Sequence, residues 1–198
     1  MSARLRKLLK EVKDCRICEE YLPLGARPVV QVHSKASILI VGQAPGRKVH
    51  ETGIPFNDPS GVRLRDWMGI DEKVFYNAEK IALLPMGFCF PGTGKSGDLP
   101  PRPECEETWR ESLLQCLPKI RLTLIIGQYA QKYHLGNDQK KNLTETVKAW
   151  PEYLKNGLIP LPHPSPRNNI WLRKNSWFEE DILPTLKKKV QKLIKEGK

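Results

Sequence analysis

Four short apolar runs constrain this fold more than anything else in the chain. They are Ile38–Val41, Ile81–Leu84, Leu122–Ile126 and Leu158–Leu161. None alternates with polar residues, the pattern expected of strands covered on both faces. Helical spacings lie between them. One surrounds Leu64 to Met68, after Gly61. One runs from about Glu104 to Leu117, with Trp109, Leu113, Cys116 and Leu117 on one side. One spans Gln128 to Leu135. The alternation predicts an α/β protein, a three-layer α/β/α sandwich around a central, mostly parallel four-stranded sheet.

The chain has 198 residues, enough for one domain with a real core, and residues 1–198 read as a single domain with basic terminal helices. Leu5, Leu8, Leu9 and Val12 share one helical face, as do Leu183, Leu186, Val190, Leu193 and Ile194. Those ends hold most of the formal charge of +11: residues 1–14 carry +3 and residues 183–198 carry +5. Such a balance fits a polyanionic partner, and it equally fits two docked helices with solvated basic faces. No apolar stretch approaches the ~20 residues of a membrane helix, so no membrane partner is expected. The N-terminus lacks the apolar segment of a secretory signal, so a cytoplasmic location is expected.

In open parallel sheets, ligands bind beyond the carboxyl ends of the strands. Three unusual loops begin there. Gly42-Gln43-Ala44-Pro45-Gly46 follows the first run, Pro85-Met86-Gly87-Phe88-Cys89 the second, and Pro162-His163-Pro164-Ser165-Pro166-Arg167 the fourth. The five cysteines add a second signal. Cys15 and Cys18 form C-x2-C, while Cys89 and Cys105 flank a loop rich in Pro and Gly. In a chain without a secretory signal, this pattern suggests four thiolate ligands for zinc or an iron–sulfur cluster rather than disulfides. Cys116 lies on the apolar side of a helix and reads as core.

Together these residues resemble the uracil-DNA glycosylase superfamily, closest to its iron–sulfur type, family four. Gly42–Gly46, followed by Thr52-Gly53-Ile54-Pro55-Phe56, is similar to the family's GEAPG and TGRPF. His163-Pro164-Ser165-Pro166 is similar to its HPSP. Cys15, Cys18, Cys89 and Cys105 are spaced like its [4Fe–4S] ligands, with zinc as the alternative metal. The likeness runs over roughly residues 15–190.

The resemblance implies a base-excision glycosylase, expected as a monomer, acting on uracil in single- or double-stranded DNA. His163 would stabilise the departing base. Gly42, Gln43 and Ala44 would approach that base through their backbone, with Ser165 beside it, and Phe56 would stack on it. Pro164, Ser165, Pro166 and Arg167 would meet the DNA, and Lys95 and Arg102 are further phosphate candidates.

The chain departs from the family where an acidic stretch usually follows the glycine loop. Arg47-Lys48-Val49-His50-Glu51 stands there, and Ala44 occupies the position of the catalytic Asp in GQDPY enzymes. His50 and Glu51 are the water-positioning candidates, with Asp58 as a third. The family's second-strand Asn has no clear counterpart, since Asn77 comes too early. Two other readings fit these residues: a non-catalytic DNA-binding or damage-sensing module, and a glycosylase for another deaminated base such as hypoxanthine.

Overall fold

All four apolar runs are strands, and their order explains where the loops go. The computed structural model describes residues 1–95 and 97–196; residues 197 and 198, the end of the basic C-terminal segment, lie outside it. Helix α1 (Ala3–Lys13) is capped by the Ser2 hydroxyl, which accepts from the Leu5 N–H. Strand β1 (Ile38–Val41), helices α2 (Arg47–Thr52), α3 (Pro59–Met68) and α4 (Glu72–Phe75), and strand β2 (Ile81–Leu83) follow. A small antiparallel hairpin, β3 (Thr93–Gly94) and β4 (Gly97–Asp98), precedes α5 (Glu111–Leu114). The chain continues through β5 (Leu122–Ile126), α6 (Gly127–Leu135), α7 (Leu143–Lys148), α8 (Trp150–Leu154), β6 (Leu158–Leu161), α9 (Asn169–Lys174) and α10 (Leu183–Glu196).

The central sheet has the order β2-β1-β5-β6 and is parallel throughout. Successive residues of each strand face opposite layers. Ile38, Ile40, Ile81, Leu83, Leu122 and Leu124 pack with Trp67 of α3 and Leu186 and Val190 of α10. Leu39, Val41, Ala82 and Ile125 pack with Leu5 and Val12 of α1, Leu113 of α5 and Ala130 of α6. Both sheet faces are therefore buried, which is why no run alternates with polar residues. The outer side of β2 is covered by an extended segment in which Gln31 exchanges backbone hydrogen bonds with Leu83 (2.7 and 2.9 Å). Pro160, which lacks an N–H, is accommodated because β6 is an edge strand.

The helix expected over 104–117 departs from regular geometry. Residues Glu106–Arg110 form a π turn before α5. Its apolar side packs as expected, with Leu113, Cys116 and Leu117 buried, but Arg110 is buried as well. The Arg110 guanidinium donates to the Pro85 carbonyl (2.8 Å), lies 4.8 Å from the Tyr133 ring centre, and sits 3.2 Å from His134 Nε2. Since Arg only donates, His134 Nε2 is the acceptor and its ring is neutral. A buried cation thus ties the carboxyl end of β2 to α6. The short helices α2, α4, α7, α8 and α9 and the hairpin carry too few periodic residues to be legible from spacing.

Burial, and then the Arg110 charge, push the His134 pKa down from the usual 6.5 to about 4. The unfolded ring binds a proton below 6.5, whereas the folded ring stays neutral until about 4. Stability is therefore complete above that window and is lost as pH falls through it, by about 3 kcal/mol for this group. His134→Gln keeps an acceptor for Arg110 and removes the titration. Urea unfolding measured from pH 7 to pH 4 should show a flatter acid side for that variant than for the parent.

Candidate functional site

A cavity of about 490 Å3 opens at the carboxyl edge of the sheet, among the loops that follow β1, β2 and β6. Its walls come from segments far apart in the sequence: Gly42–Gly46, Pro55 to Ser60, Leu83 and Pro85, the hairpin residues Gly97 and Asp98, and the His163–Asn168 loop. The first and second loops are stitched together. Met86 N–H donates to the Gly42 carbonyl (2.8 Å) and Gly87 N–H to the Gln43 carbonyl (2.9 Å). Among the described residues, the N–H groups of Gln43 and Ala44 have no acceptor, so both remain available as donors.

Phe56 is held against its own backbone preference. Its φ is +54°, a left-handed conformation that costs a non-glycine residue of order 1–3 kcal/mol. The fold enforces it through Gly61, where a Cβ would lie 1.8 Å from the Phe56 carbonyl oxygen. The glycine lets the turn close onto the start of α3, whose first turn is capped by Asp58 Oδ1 accepting from Gly61 N–H (2.8 Å). The Phe56 ring then lies beside Gly42 and meets the buried Phe75 edge to face, with centres 6.0 Å apart at 88°. An aromatic platform is thus fixed from behind at one wall of the cavity.

The His163 loop is equally constrained. Asn168 Nδ2 donates to the His163 carbonyl (2.7 Å), and the Ser165 hydroxyl accepts from Arg167 N–H (3.2 Å). Arg63 of α3 donates to the Ser165 carbonyl (3.0 Å) and to Asn169 Oδ1 (2.8 Å). Burial lowers the His163 pKa below its ordinary value, and the charges of Asp58 and Asp98 oppose that shift. The shift favours the neutral ring, and the two carboxylates line the same cavity. Arg167 is exposed, and its Nη1 would sit 2.6 Å from a Cβ at Gly97, so only a glycine lets the guanidinium lie across the hairpin.

Most of the expected residues meet in the cavity: Gly42, Gln43, Ala44, Phe56, His163, Ser165, Pro166 and Arg167 all line it. Three expectations need correction. On α2 it is Val49 that lines the cavity, while His50 is buried beside Phe90 (ring centres 6.3 Å apart) and Glu51 is exposed. The six-residue helix turns these two side chains away, so neither is placed to hold water there. Pro164 is buried and presents no surface to DNA. The Gln43 side-chain amide donates to the carbonyls of Asp98 (3.3 Å) and Leu99 (2.8 Å), bonds that leave the expected backbone approach untouched. Arg102 pairs with Glu104 and lies over the Tyr21 ring, which occupies it away from phosphate.

Sequence reasoning missed Asp98. It comes from a two-residue strand in a Pro- and Gly-rich segment, and no spacing marks it as part of the site.

The four expected ligand cysteines share one neighbourhood. All are unbridged, and burial pushes the Cys89 thiol up to about 12 and Cys105 to about 11, with the neighbouring cysteines adding to both shifts. N–H donors reach three of the sulfurs: Trp109 Nε1 to Cys15 (3.4 Å), Phe88 N–H to Cys105 (3.4 Å), and the Arg27 backbone to Cys89. Among the described residues, no three His, Cys, Asp or Glu side chains stand close enough to hold a single metal ion.

The Phe56–Gly61 contact leads to a direct test. Gly61→Ala places a methyl group into the Phe56 carbonyl, and overpacking of this kind costs at least the usual ~1–3 kcal/mol. The thermal midpoint should drop by roughly 2–12 °C. Tryptophan and aromatic near-ultraviolet signals should change together as Phe56 is displaced.

The comparison with known families agrees with this geometry. The family model described as the uracil DNA glycosylase superfamily matches residues 30–187, a span that includes all the strands and every cavity segment except Val29. Among the described residues, no helix is long and apolar enough to cross a membrane. With most of its length inside that match and its three site loops gathered at one sheet edge, the chain belongs to the uracil-DNA glycosylase superfamily.

Proposed function

We propose that this protein is a monofunctional uracil-DNA glycosylase, which extrudes uracil from DNA and hydrolyses its N-glycosidic bond. The observation that carries this reading is the meeting of the Gly42–Gly46 loop, Phe56 and His163 in one cavity. The extruded base stacks on Phe56, an interaction worth ~1–3 kcal/mol. As the bond from the sugar C1′ to uracil N1 stretches, negative charge grows on the base. Neutral His163 donates to a uracil carbonyl oxygen, and the free N–H groups of Gln43 and Ala44 are the backbone donors available to the same anion. Donors fixed in advance at the position where charge develops lower the barrier. Exposed Arg47, Lys48 and Arg167 bring phosphates to the mouth of the cavity. A monomer acting in the cytoplasm on single- or double-stranded DNA fits this reading.

The family-four reading adds a [4Fe–4S] cluster held by Cys15, Cys18, Cys89 and Cys105. When bound, it supplies a cross-link between the N-terminal segment and the loop between Cys89 and Cys105. Support comes from the shared neighbourhood of the four thiols and their N–H donors.

Oligonucleotides carrying uracil or hypoxanthine, single-stranded and mismatched, followed by alkali, test the activity. Strand breaks at uracil are expected. Breaks only at hypoxanthine would assign the other lesion, and binding without breaks would assign the non-catalytic module. His163→Ala should slow uracil excision by about 100- to 1,000-fold, the usual cost of one such donor. Anaerobically purified protein should be brown, with iron and sulfide in equal amounts, and Cys89→Ser should lose both the colour and thermal stability. Stoichiometric zinc in a colourless protein would replace the cluster with the alternative metal.

A further inference from the structure

We propose that Asp98, carried on the β3–β4 hairpin, is the catalytic carboxylate that receives the attacking water. This rests on the glycosylase reading above and supplies a part that His50 and Glu51 do not.

Depth selects the residue. Among the described residues, two carboxylates line the cavity, Asp58 and Asp98. When a base fills the pocket between Phe56 and His163, its sugar stays at the mouth, and the water must reach C1′ there. Asp58 is half-buried and caps α3 through Oδ1. Asp98 is exposed at the rim. Its Oδ1 accepts from the Thr93 hydroxyl (3.3 Å), and its Oδ2 points to Gly46, lying 3.4 Å from where a Cβ would stand. One oxygen is thus oriented by the hairpin and the other is turned to the glycine loop.

The hairpin is built to hold that position. The Gln43 amide grips the carbonyls of Asp98 and Leu99 from the glycine loop, and the Arg167 guanidinium lies against Gly97 from the His163 loop. Both catalytic loops therefore fix the two-residue strand that bears Asp98.

Charge points the same way. A carboxylate at a rim that meets a phosphate chain works against binding, so affinity is not what Asp98 contributes. An anion there favours the positive sugar that forms as the base departs. The step balances without a further reagent. The water oxygen bonds to C1′, the C1′–N1 bond breaks with its electron pair leaving on uracil, and one water proton passes to Asp98 and then to solvent. Among the described residues, the charged or titratable groups that share this cavity with Asp98 are His163, Asp58 and Arg167.

The test compares the parent, Asp98→Asn, Asp98→Glu and Asp58→Asn on one single-stranded uracil oligonucleotide. Single-turnover rate and affinity for the abasic product strand are measured separately. Asp98→Asn should lose about 100-fold or more in rate, within the range of general-base catalysis, with affinity unchanged or tighter and the melting curve unmoved. Asp98→Glu should recover part of the rate. Asp58→Asn, which still caps α3, should cost less than Asp98→Asn. Parental rates in Asp98→Asn, a loss of affinity in place of rate, a larger loss in Asp58→Asn, or a gain of excision at another base would each overturn the assignment. An inactive parent removes the glycosylase reading and this one with it, whereas an active parent with an equally fast Asp98→Asn removes only this one.

Discussion

The parallel register of β1 is the constraint on which the site depends. Ile38 stands opposite both Ile81 and Leu122, so β1, β2 and β5 run in step, and β6 follows from Thr123 opposite Leu158. Each strand is buried on both faces, and a slip of one residue would exchange the two layers' side chains. That penalty fixes how far each strand reaches. The loops after Val41, Leu83 and Leu161 consequently start at related heights on one edge, and a base-sized cavity forms between them. Arg110 reinforces the arrangement from below by tying Pro85 to α6.

How much of this the sequence reveals follows from the kind of information each part uses. The strands and the faces of α1 and α10 are legible because repeated apolar positions encode them, and Leu5, Val12, Leu186 and Val190 are buried as their spacing implies. The three loops are legible because glycine, proline and histidine are costly to place without reason. Asp98 and the inward turn of His50 are not legible. The first depends on a hairpin gripped by Gln43 and Arg167 from distant segments, and the second on where a six-residue helix points. Arg110 is hidden for a related reason: a lone cation in an otherwise exposed stretch reads as surface until a π turn carries it inward.

The electrostatics of the cavity run opposite to those of the chain. The protein carries +11, with basic residues spread over both terminal helices. Inside the site, one imidazole that burial favours as neutral shares the cavity with two carboxylates. Attraction of a polyanion and stabilisation of a leaving anion are thus separate tasks, assigned to separate residues. The outer charge acts over a distance and weakens with salt, whereas the inner donors act only at contact, after water has been displaced.

The left-handed backbone at Phe56 has a consequence for the order in which the molecule becomes competent. An isolated loop would relax out of that conformation, so the aromatic platform exists only while α3 is docked and Gly61 presses on it. The sheet has no such dependence on α3 for its own pairing. A partly opened molecule that kept every strand, and with it most of its spectroscopic signature, would already be unable to hold a base. Competence is therefore a property of the docking of α3 against Phe56 and is lost while the strands still pair.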